Sequence, residues 1–288
     1  MKKTVNEGKG IVLGMAALML AGTVFAGGAT SVEAKTNGAN KATKKSSSYV
    51  RIFDDEYKED DVVNIGEYTF AVDGTKVMLK SKDAKEYEQT DIDTTAVTNG
   101  KVVYFTKGLK LKKLTLRTMK IKNVASIKRT KKNDKNTPDC AYISSAYGNQ
   151  IFVTRNSWGS WKEDTFSYNM KSGKVKKLFK GEIVNADGKY VVVYKDFGSD
   201  VHTSRYDIYK VSKNKIKKVK RLAKKGLFFG EIKGKLYYAE YTNDSFEKGV
   251  FYRCDVDGKN IEELAVVDDI LSDVTEHSYM LGMKKIKY

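Results

Sequence analysis

Residues 233–258, KGKLYYAEYTNDSFEKGVFYRCDVDG, contain the pattern that decides the fold. Lys233-Gly234 precedes an aromatic β-rich run, a polar stretch follows, and a second aromatic run ends at Asp257-Gly258. Glycine-containing pairs between alternating strands are strong signals for tight hairpin turns, because these turns need positive φ angles. The stretch therefore predicts two antiparallel strands with a tight turn at each outer end and a longer loop between them.

The same pattern recurs along the chain. The first turn recurs at Asn99-Gly100, Gly148-Asn149, Asp187-Gly188 and Lys233-Gly234, and the glycines are 48, 40 and 46 residues apart. The second turn recurs at Ser172-Gly173, Lys213-Asn214 and Asp257-Gly258, which lie 25, 26 and 24 residues after the first. Each unit predicts a four-stranded antiparallel sheet of about 40–45 residues, which is typical of a propeller blade. A sandwich would not repeat the same two-turn unit at a near-constant period.

These units predict an all-β protein, a β-propeller of four-stranded antiparallel blades. Complete units are predicted at 93–129, 143–181, 182–226 and 228–270, with a shorter one around 60–91. Residues 273–288 supply half a unit, which the strand near 49–53 is expected to complete, because pairing the two ends removes an open edge. We expect one propeller domain over residues 49–288, with six blades and with five as the alternative.

Two stretches in the last complete unit resemble a known family. Residues 235–240 (KLYYAE) and 250–260 (VFYRCDVDGKN) resemble the six-bladed YWTD propellers of the low-density-lipoprotein-receptor type. Blades of that family run Leu-Tyr-Trp-Thr-Asp and then Ile-x-Arg-x-x-Leu-Asp-Gly, and a related domain occurs in secreted and surface proteins of Gram-positive bacteria. Tyr238-Ala239-Glu240 stands where the family has Trp-Thr-Asp, so the resemblance implies the fold rather than a function.

The N-terminus has the parts of an export signal. Residues 1–34 contain three early lysines, the apolar run 11–28 and small residues before a cleavage point, which predict a signal peptide. Cleavage is expected after Ala34, with Ala26 as a second option. An uncleaved anchor is the alternative, because a bilayer span needs roughly 17–25 apolar residues. Residues 35–48 predict a flexible Lys/Ser-rich spacer. We therefore expect a secreted protein, extracellular or associated with the cell surface, with no transmembrane segment after cleavage.

The chain is strongly basic, with 53 Lys and Arg against 36 Asp and Glu and a formal net charge of +17. Such a charge attracts polyanions, but it also fits a solvated lysine-rich surface. The lysine-rich runs 174–178 and 215–221 fall at the fourth strand of a unit, where lysine blocks edge-to-edge pairing. The charge is therefore no proof of a polyanion partner, and we expect no nucleic-acid partner. Cys140 and Cys254 lie in different units, and we expect two separate buried thiols.

Binding residues are expected where the longer loops gather. The loops 156–164, 196–204 and 242–249 join the second and third strands of three units and should share the face opposite the tight turns, here called the long-loop face. The predicted ligand contacts in these loops are Trp158, Trp161, Phe197, His202 and Phe246. Exposed aromatic rings can stack on sugars or anchor a protein partner. The alternative is that the two tryptophans fold back and cover blade edges.

The sequence contains no recognisable catalytic or metal-binding motif. Neither His202 nor His277 stands in a zinc-type spacing, and no serine-nucleophile elbow or phosphate loop occurs. We therefore predict a monomeric, non-enzymatic binding module, without cofactor, for a cell-envelope polymer, glycan or protein. The alternatives are a carbohydrate-active hydrolase with carboxylates at the central funnel, such as Asp187, Asp196 and Glu240, or a structural scaffold for other exported proteins.

Overall fold

The computed structural model describes residues 49–53, 61–74, 76–129, 139–157, 162–187, 189–195, 205–212, 216–242 and 248–288. In these ranges the chain forms 24 strands and one short 3-10 helix, and the strands assemble into six antiparallel sheets. The prediction of an all-β propeller with six blades is confirmed. Across the same ranges, no helix has the length and hydropathy needed to cross a membrane.

The first three sheets, here blades 1–3, occupy the N-terminal half of the described chain. A two-residue strand, β1 (Val50–Arg51), precedes them. Blade 1 contains β2 (Val62–Ile65), β3 (Tyr68–Asp73), β4 (Lys76–Ser81) and β5 (Glu88–Asp93). Blade 2 contains β6 (Val97–Thr98), β7 (Val102–Lys107), β8 (Lys110–Thr115) and, after a 3-10 helix at Leu116–Thr118, β9 (Lys120–Ser126). Blade 3 contains β10 (Cys140–Tyr147), β11 (Gln150–Ser157), β12 (Lys162–Asn169) and β13 (Val175–Lys180).

Blades 4–6 follow the same meander order. Blade 4 contains β14 (Glu182–Asp187), β15 (Tyr190–Lys195), β16 (Arg205–Val211) and β17 (Ile216–Ala223). Blade 5 contains β18 (Gly226–Ile232), β19 (Lys235–Tyr241), β20 (Gly249–Asp255) and β21 (Glu262–Val267). Blade 6 has three strands in the described residues, β22 (Leu271–Ser272), β23 (Ser278–Leu281) and β24 (Lys284–Lys287).

Burial changes across each blade from its second strand to its fourth. The second strands β11 and β15 are buried on both faces, because a neighbouring blade packs on each side. The first strands of neighbouring blades contact one another, so they form the inner edges. The fourth strands β13 and β17 end their sheets and are largely exposed. The predicted placement of the lysine-rich runs on outer blade edges is therefore confirmed.

The core is a series of contacts between successive blades. Five clusters of buried apolar side chains each join one blade to the next, from blades 1 and 2 to blades 5 and 6. A fully buried residue belongs to each of them, in chain order Phe70, Ile143, Phe152, Phe228 and Phe251. Burying one such side chain stabilises the fold by about 1.5–3 kcal/mol. Within the described ranges, none of these clusters joins blade 6 to blade 1.

The predicted ring closure by the N-terminal strand is wrong. β1 does not complete the C-terminal sheet but pairs with β6 as a fifth strand of blade 2, with Val50 opposite Thr98. The next residues explain this position, because Ile52 and Phe53 are each 3% exposed in the cluster between blades 1 and 2. The Ile52 amide also donates to the Ala96 carbonyl at 3.0 Å. Local burial thus holds the strand at the first two blades.

The two cysteines are separate thiols, as predicted, but only one of them is buried. Cys140 lies on β10 and Cys254 on β20, and the two do not form a disulfide bond. Cys140 is partly exposed, so the prediction of burial is wrong for this residue. Cys254 is fully buried in the cluster between blades 4 and 5, and burial raises the pKa of its thiol to about 12. The thiol therefore behaves as a small apolar core group.

Candidate binding site on the long-loop face

The long-loop face is confined to blades 3, 4 and 5. There the connection between second and third strands runs from Ser157 to Lys162, from Lys195 to Arg205 and from Tyr241 to Gly249. In blades 1, 2 and 6 the same connection is a tight turn, with φ of 61°, 58° and 56° at Gly74, Gly108 and Gly282. A binding site built from long loops therefore belongs to three consecutive blades.

The five predicted ligand contacts cannot be placed by the structure. Trp158, Trp161, Phe197, His202 and Phe246 all lie outside the described residues. The strand ends that border their loops are described, and the candidate site is built from them.

A charged residue stands at the end of the second strand, before the connection to the third, in five consecutive blades. It is the sixth residue of that strand, and in chain order the position holds Asp73, Lys107, Arg155, Lys195 and Glu240. The middle three are basic, so one sign of charge follows the rim of blades 2 to 4. What surrounds each charge differs from blade to blade.

In blade 3 the basic residue faces a carboxylate. Arg155 lies directly opposite Asp164 on β12 and forms an ion pair with it, and both side chains are less than 10% exposed. The Lys177 ammonium approaches the other oxygen of Asp164 at 2.5 Å. Arg155 also donates to the Lys128 carbonyl and lies 5.5 Å from the centroid of the Phe166 ring. The cluster ties the edge of blade 3 to the link from blade 2.

In blade 4 the basic residue faces another cation. Lys195 lies directly opposite Arg205 on β16, an arrangement that is destabilising in an antiparallel pair. The carboxylate of Asp207, two residues along β16 and fully buried, forms an ion pair with each of these cations. The Lys195 ammonium and the Arg205 Nε are each 3.2 Å from its Oδ2.

Two further cations approach the same carboxylate from the outer strand β17. The Lys218 Nζ is 2.7 Å from Oδ1 of Asp207, and the Arg221 Nε is 3.9 Å from it. Burial acts to raise the pKa of Asp207, but contacts with Lys218 and Lys195 and the charge of Arg205 outweigh it and lower the pKa. We name Asp207 with these four cations the Asp207 cluster. In the described part of the chain it holds four positive charges around one negative charge.

The Asp207 cluster faces blade 3 across the boundary between blades 3 and 4, which is here called the groove. The Lys195 ammonium is 4.8 Å from the centroid of the Tyr209 ring, and it donates to the Tyr209 hydroxyl. It is also 5.8 Å from the centroid of Phe179, which lies on β13 of blade 3. The Phe179 and Tyr209 rings are 5.0 Å apart and both are partly exposed. Cations and aromatic faces therefore line one groove.

The acidic residues near the inner strands connect neighbouring blades. Tyr142 on β10 donates to the Glu182 carboxylate on β14. Burial, followed by the charges of Glu182 and Glu163, raises the pKa of Tyr142 well above its ordinary range, so the phenol stays protonated. Asn185 donates to Glu231 at 2.9 Å in the same way between blades 4 and 5.

Of the three funnel carboxylates named from the sequence, the structure describes the side chain of Glu240. Glu240 accepts the backbone amide of Lys224 at 3.0 Å, in the link between blades 4 and 5. The Asp187 side chain and Asp196 lie outside the described residues. Where the structure describes side chains, no group of three or more His, Cys, Asp or Glu is arranged to hold a metal ion. His277 is exposed, with its Nε2 3.5 Å from Glu276.

Sequence reasoning did not find the Asp207 cluster. Its residues are spread over three strands, and cross-strand register brings them together. A usable signal was the sequence Arg205-Tyr206-Asp207, which places opposite charges two residues apart and therefore on one face of a strand.

The architecture defines the class of this protein as a β-propeller. No protein-family model matches the chain, and no curated protein matches it. Among solved structures it is similar to an oligogalacturonate lyase in complex with manganese, with 12% identity and a TM-score of 0.42 over 70% of this chain and 61% of that one. It is also similar to the β-propeller domain of the Trilobed protease from Pyrococcus furiosus, with 14% identity and a TM-score of 0.40 over 76% and 77%.

A third similar structure is the oligogalacturonate lyase from Vibrio parahaemolyticus, with 11% identity, a TM-score of 0.41 and coverage of 67% and 59%. The chain thus spans about three-fifths of the length of the two lyases. At these identities and TM-scores the similarities assign no substrate or activity to this chain.

Proposed function

We propose that this chain is a non-enzymatic binding module that holds a glycan or related cell-envelope polymer on the long-loop face of blades 3 to 5. The proposal includes export by residues 1–34, whose charge and hydropathy pattern is that of a signal peptide. The aromatic residues of the three loops supply the contacts, and the basic rim attracts the polymer.

One observation carries the proposal. Two consecutive blades place buried ionic clusters where their long loops leave and rejoin the sheet, at Arg155–Asp164 and Lys195–Asp207. Buried ion pairs add little stability over apolar packing, because desolvating the charges is costly. They do fix strand ends in one geometry, and a binding loop needs a rigid base of this kind.

An array of glycans and envelope polymers tests the proposal, using the purified protein at low and at physiological salt. We expect binding that persists at the higher salt, because aromatic stacking is less screened than charge attraction. The double variant Trp158→Ala/Trp161→Ala should lower the affinity at least about tenfold, since a large aromatic contact commonly contributes about 2 kcal/mol or more.

The matched control is Tyr147→Ala. Tyr147 is an exposed aromatic residue at the tight turn between β10 and β11, on the opposite face. Its loss should leave the affinity unchanged. Full binding by the double tryptophan variant would show that the long-loop face is not the binding surface.

Export has its own test. We expect a host with a general secretion pathway to release the protein with Lys35 at its N-terminus. N-terminal sequencing of the released protein checks this, and a chain retained in the cytoplasm would contradict it.

A further inference from the structure

We infer that the groove between blades 3 and 4 binds the anionic group of an acidic glycan, a carboxylate or a phosphate, through Arg205, Lys218 and Arg221. The inference rests on the proposed function and names the ligand class and the residues that recognise it.

The first argument is the charge balance. In the described residues four cations surround Asp207, an excess of three positive charges. The sequence between Lys195 and Arg205 adds two carboxylates, Asp196 and Asp200. If both are counted, four cations still exceed three carboxylates. Like charges held close in a partly buried groove repel one another, and an incoming anion relieves that repulsion.

The second argument is that the fold does not need this arrangement. In blade 3 Asp164 lies opposite Arg155, so the two facing charges are opposite in sign. Blade 4 has Arg205 at the position of Asp164, and the like-charged pair persists because Asp207 lies beside it. Departures from local charge rules concentrate at functional sites, and this departure falls at the border of a long loop.

The third argument is the gradient of exposure across the cluster. Asp207 is fully buried and Lys195 is 10% exposed, so this pair forms the base. The side chains of Arg205, Lys218 and Arg221 are 26%, 37% and 46% exposed. The base therefore holds the positions of the outer cations, and the outer cations meet the solvent.

The chemistry of the outer cations fits an oxyanion on a sugar. Arg221 approaches Asp207 through Nε, at 3.9 Å. The terminal nitrogens of its guanidinium group suit bidentate binding of carboxylate or phosphate oxygens. The rings of Phe179 and Tyr209 pack against each other in the same groove, and the part of their apolar surface that stays exposed can contact a sugar ring. A single site thus combines anion recognition with aromatic packing.

Titration calorimetry with defined polymers tests the inference. The probes are alginate, whose sugars carry carboxylates, a phosphate-substituted mannan, and unsubstituted mannan as the neutral reference. We expect the protein to bind at least one acidic polymer about tenfold more tightly than the neutral one, because charge-assisted hydrogen bonds are the strong ones. Binding of alginate alone identifies the anion as a carboxylate, and binding of the substituted mannan alone identifies a phosphate.

The variants compare two faces of the same two strands. Arg205→Gln/Arg221→Gln removes two charges from the groove face and should weaken binding of the acidic polymer about tenfold or more. Lys210→Gln/Lys217→Gln removes two charges from the other face of β16 and β17, where the two lysines are exposed and opposite each other. This control should change the affinity less than about twofold, the size of a screened surface charge effect.

Lys218→Gln is the second variant, because this half-exposed residue can be replaced even if the arginine pair proves necessary for folding. It should weaken acidic-polymer binding without changing the affinity for the neutral polymer. Thermal unfolding monitors the fold of each variant.

The outcomes separate this inference from the proposed function. An equal loss of acidic-polymer affinity in the arginine pair variant and in the lysine pair variant would reduce the effect to general charge attraction and overturn the inference. Binding of single-stranded DNA as tight as that of the acidic polymer would do the same. Unchanged binding in both the arginine pair variant and the lysine pair variant, together with loss of binding in the tryptophan variant, would also overturn the inference. The proposed function would then still stand. An empty polymer array would overturn both.

Discussion

Blades 3 and 4 have the same strand order and the same rim position at the end of the second strand, but the charge at that position has opposite surroundings in the two blades. Arg155 faces Asp164, whereas Lys195 faces Arg205 and depends on Asp207 two residues away. The blade 3 cluster has two cations on one carboxylate, and the blade 4 cluster has four.

The difference shows that a repeated blade can keep its backbone fold while the side chain at one position acquires different contacts and a different role. In blade 3 the charges join strands to one another and to the preceding link, since Arg155 also donates to the Lys128 carbonyl. In blade 4 one buried carboxylate organises several cations that reach the surface. The following predictions test whether the two clusters differ in energy as they differ in geometry.

The largest effect is expected from removing the blade 4 carboxylate. Asp207→Asn leaves Lys195 buried beside three other cations, and breaking a buried pair in this way costs about 3–5 kcal/mol. Asp164→Asn leaves Arg155 with its carbonyl partner, so we expect a smaller loss of about 2 kcal/mol. Denaturant unfolding of both variants measures the difference. Equal losses would mean that the two clusters are energetically alike.

The junction between the two blades is the next most sensitive point. Gly181 is the single residue between β13 and β14, with φ of 113°, and an added Cβ would lie 2.1 Å from the Tyr194 carbonyl oxygen. Gly181→Ala should cost about 3 kcal/mol, because it combines an unfavourable φ with overlap against backbone. Gly148→Ala is the matched control.

Gly148 has φ of 59°, and a Cβ added there would have no neighbouring atom within 4 Å, so the control isolates the effect of φ. Its expected cost is about 1 kcal/mol. A similar loss for both glycines, measured by the same denaturant unfolding, would show that the blade 3–4 junction can shift to accept a side chain.

A smaller difference in unfolding free energy between the two blades is expected when one cation is removed from each cluster. Arg155→Met leaves Asp164 with Lys177 as its remaining described ion pair and should cost about 2 kcal/mol. Lys195→Met leaves Asp207 with three cations and removes the like charge opposite Arg205, so we expect about 1 kcal/mol or less. The reverse order of the two losses would contradict the charge excess assigned to blade 4.

The sequence predicted the fold because its turn signals are local. The glycines at 100, 148, 173, 234 and 258 all have positive φ, as the hairpin turns required, and each is followed or preceded by strands of the expected kind. The position of β1 was not predictable in this way. It depends on where Ile52 and Phe53 find an apolar cavity, which is a property of the assembled blades.

The candidate site was predicted to the level of a face but not of its residues. The loop lengths of blades 3 to 5 located the long-loop face, while the ligand contacts chosen there stay a prediction. The Asp207 cluster depends on register between β15, β16 and β17, including two irregularities between β16 and β17. A shift of one residue would move every charge to the other face, so composition alone could not indicate it.

The smallest expected effect is the pH dependence of the blade 4 cluster. The folded-state pKa of Asp207 is lowered, so its ionised form stabilises the fold at pH values above its unfolded pKa of about 3.9. That stability is lost as the pH falls through the lower folded pKa. The difference in unfolding free energy between the native chain and Asp207→Asn should therefore stay constant from about pH 7 to 5 and narrow below about pH 4. Lys217→Gln, which changes a residue on the other face of β17, should show no such narrowing. If the difference in unfolding free energy between the native chain and Asp207→Asn stays constant even below about pH 4, the carboxylate is not held ionised by its four cations.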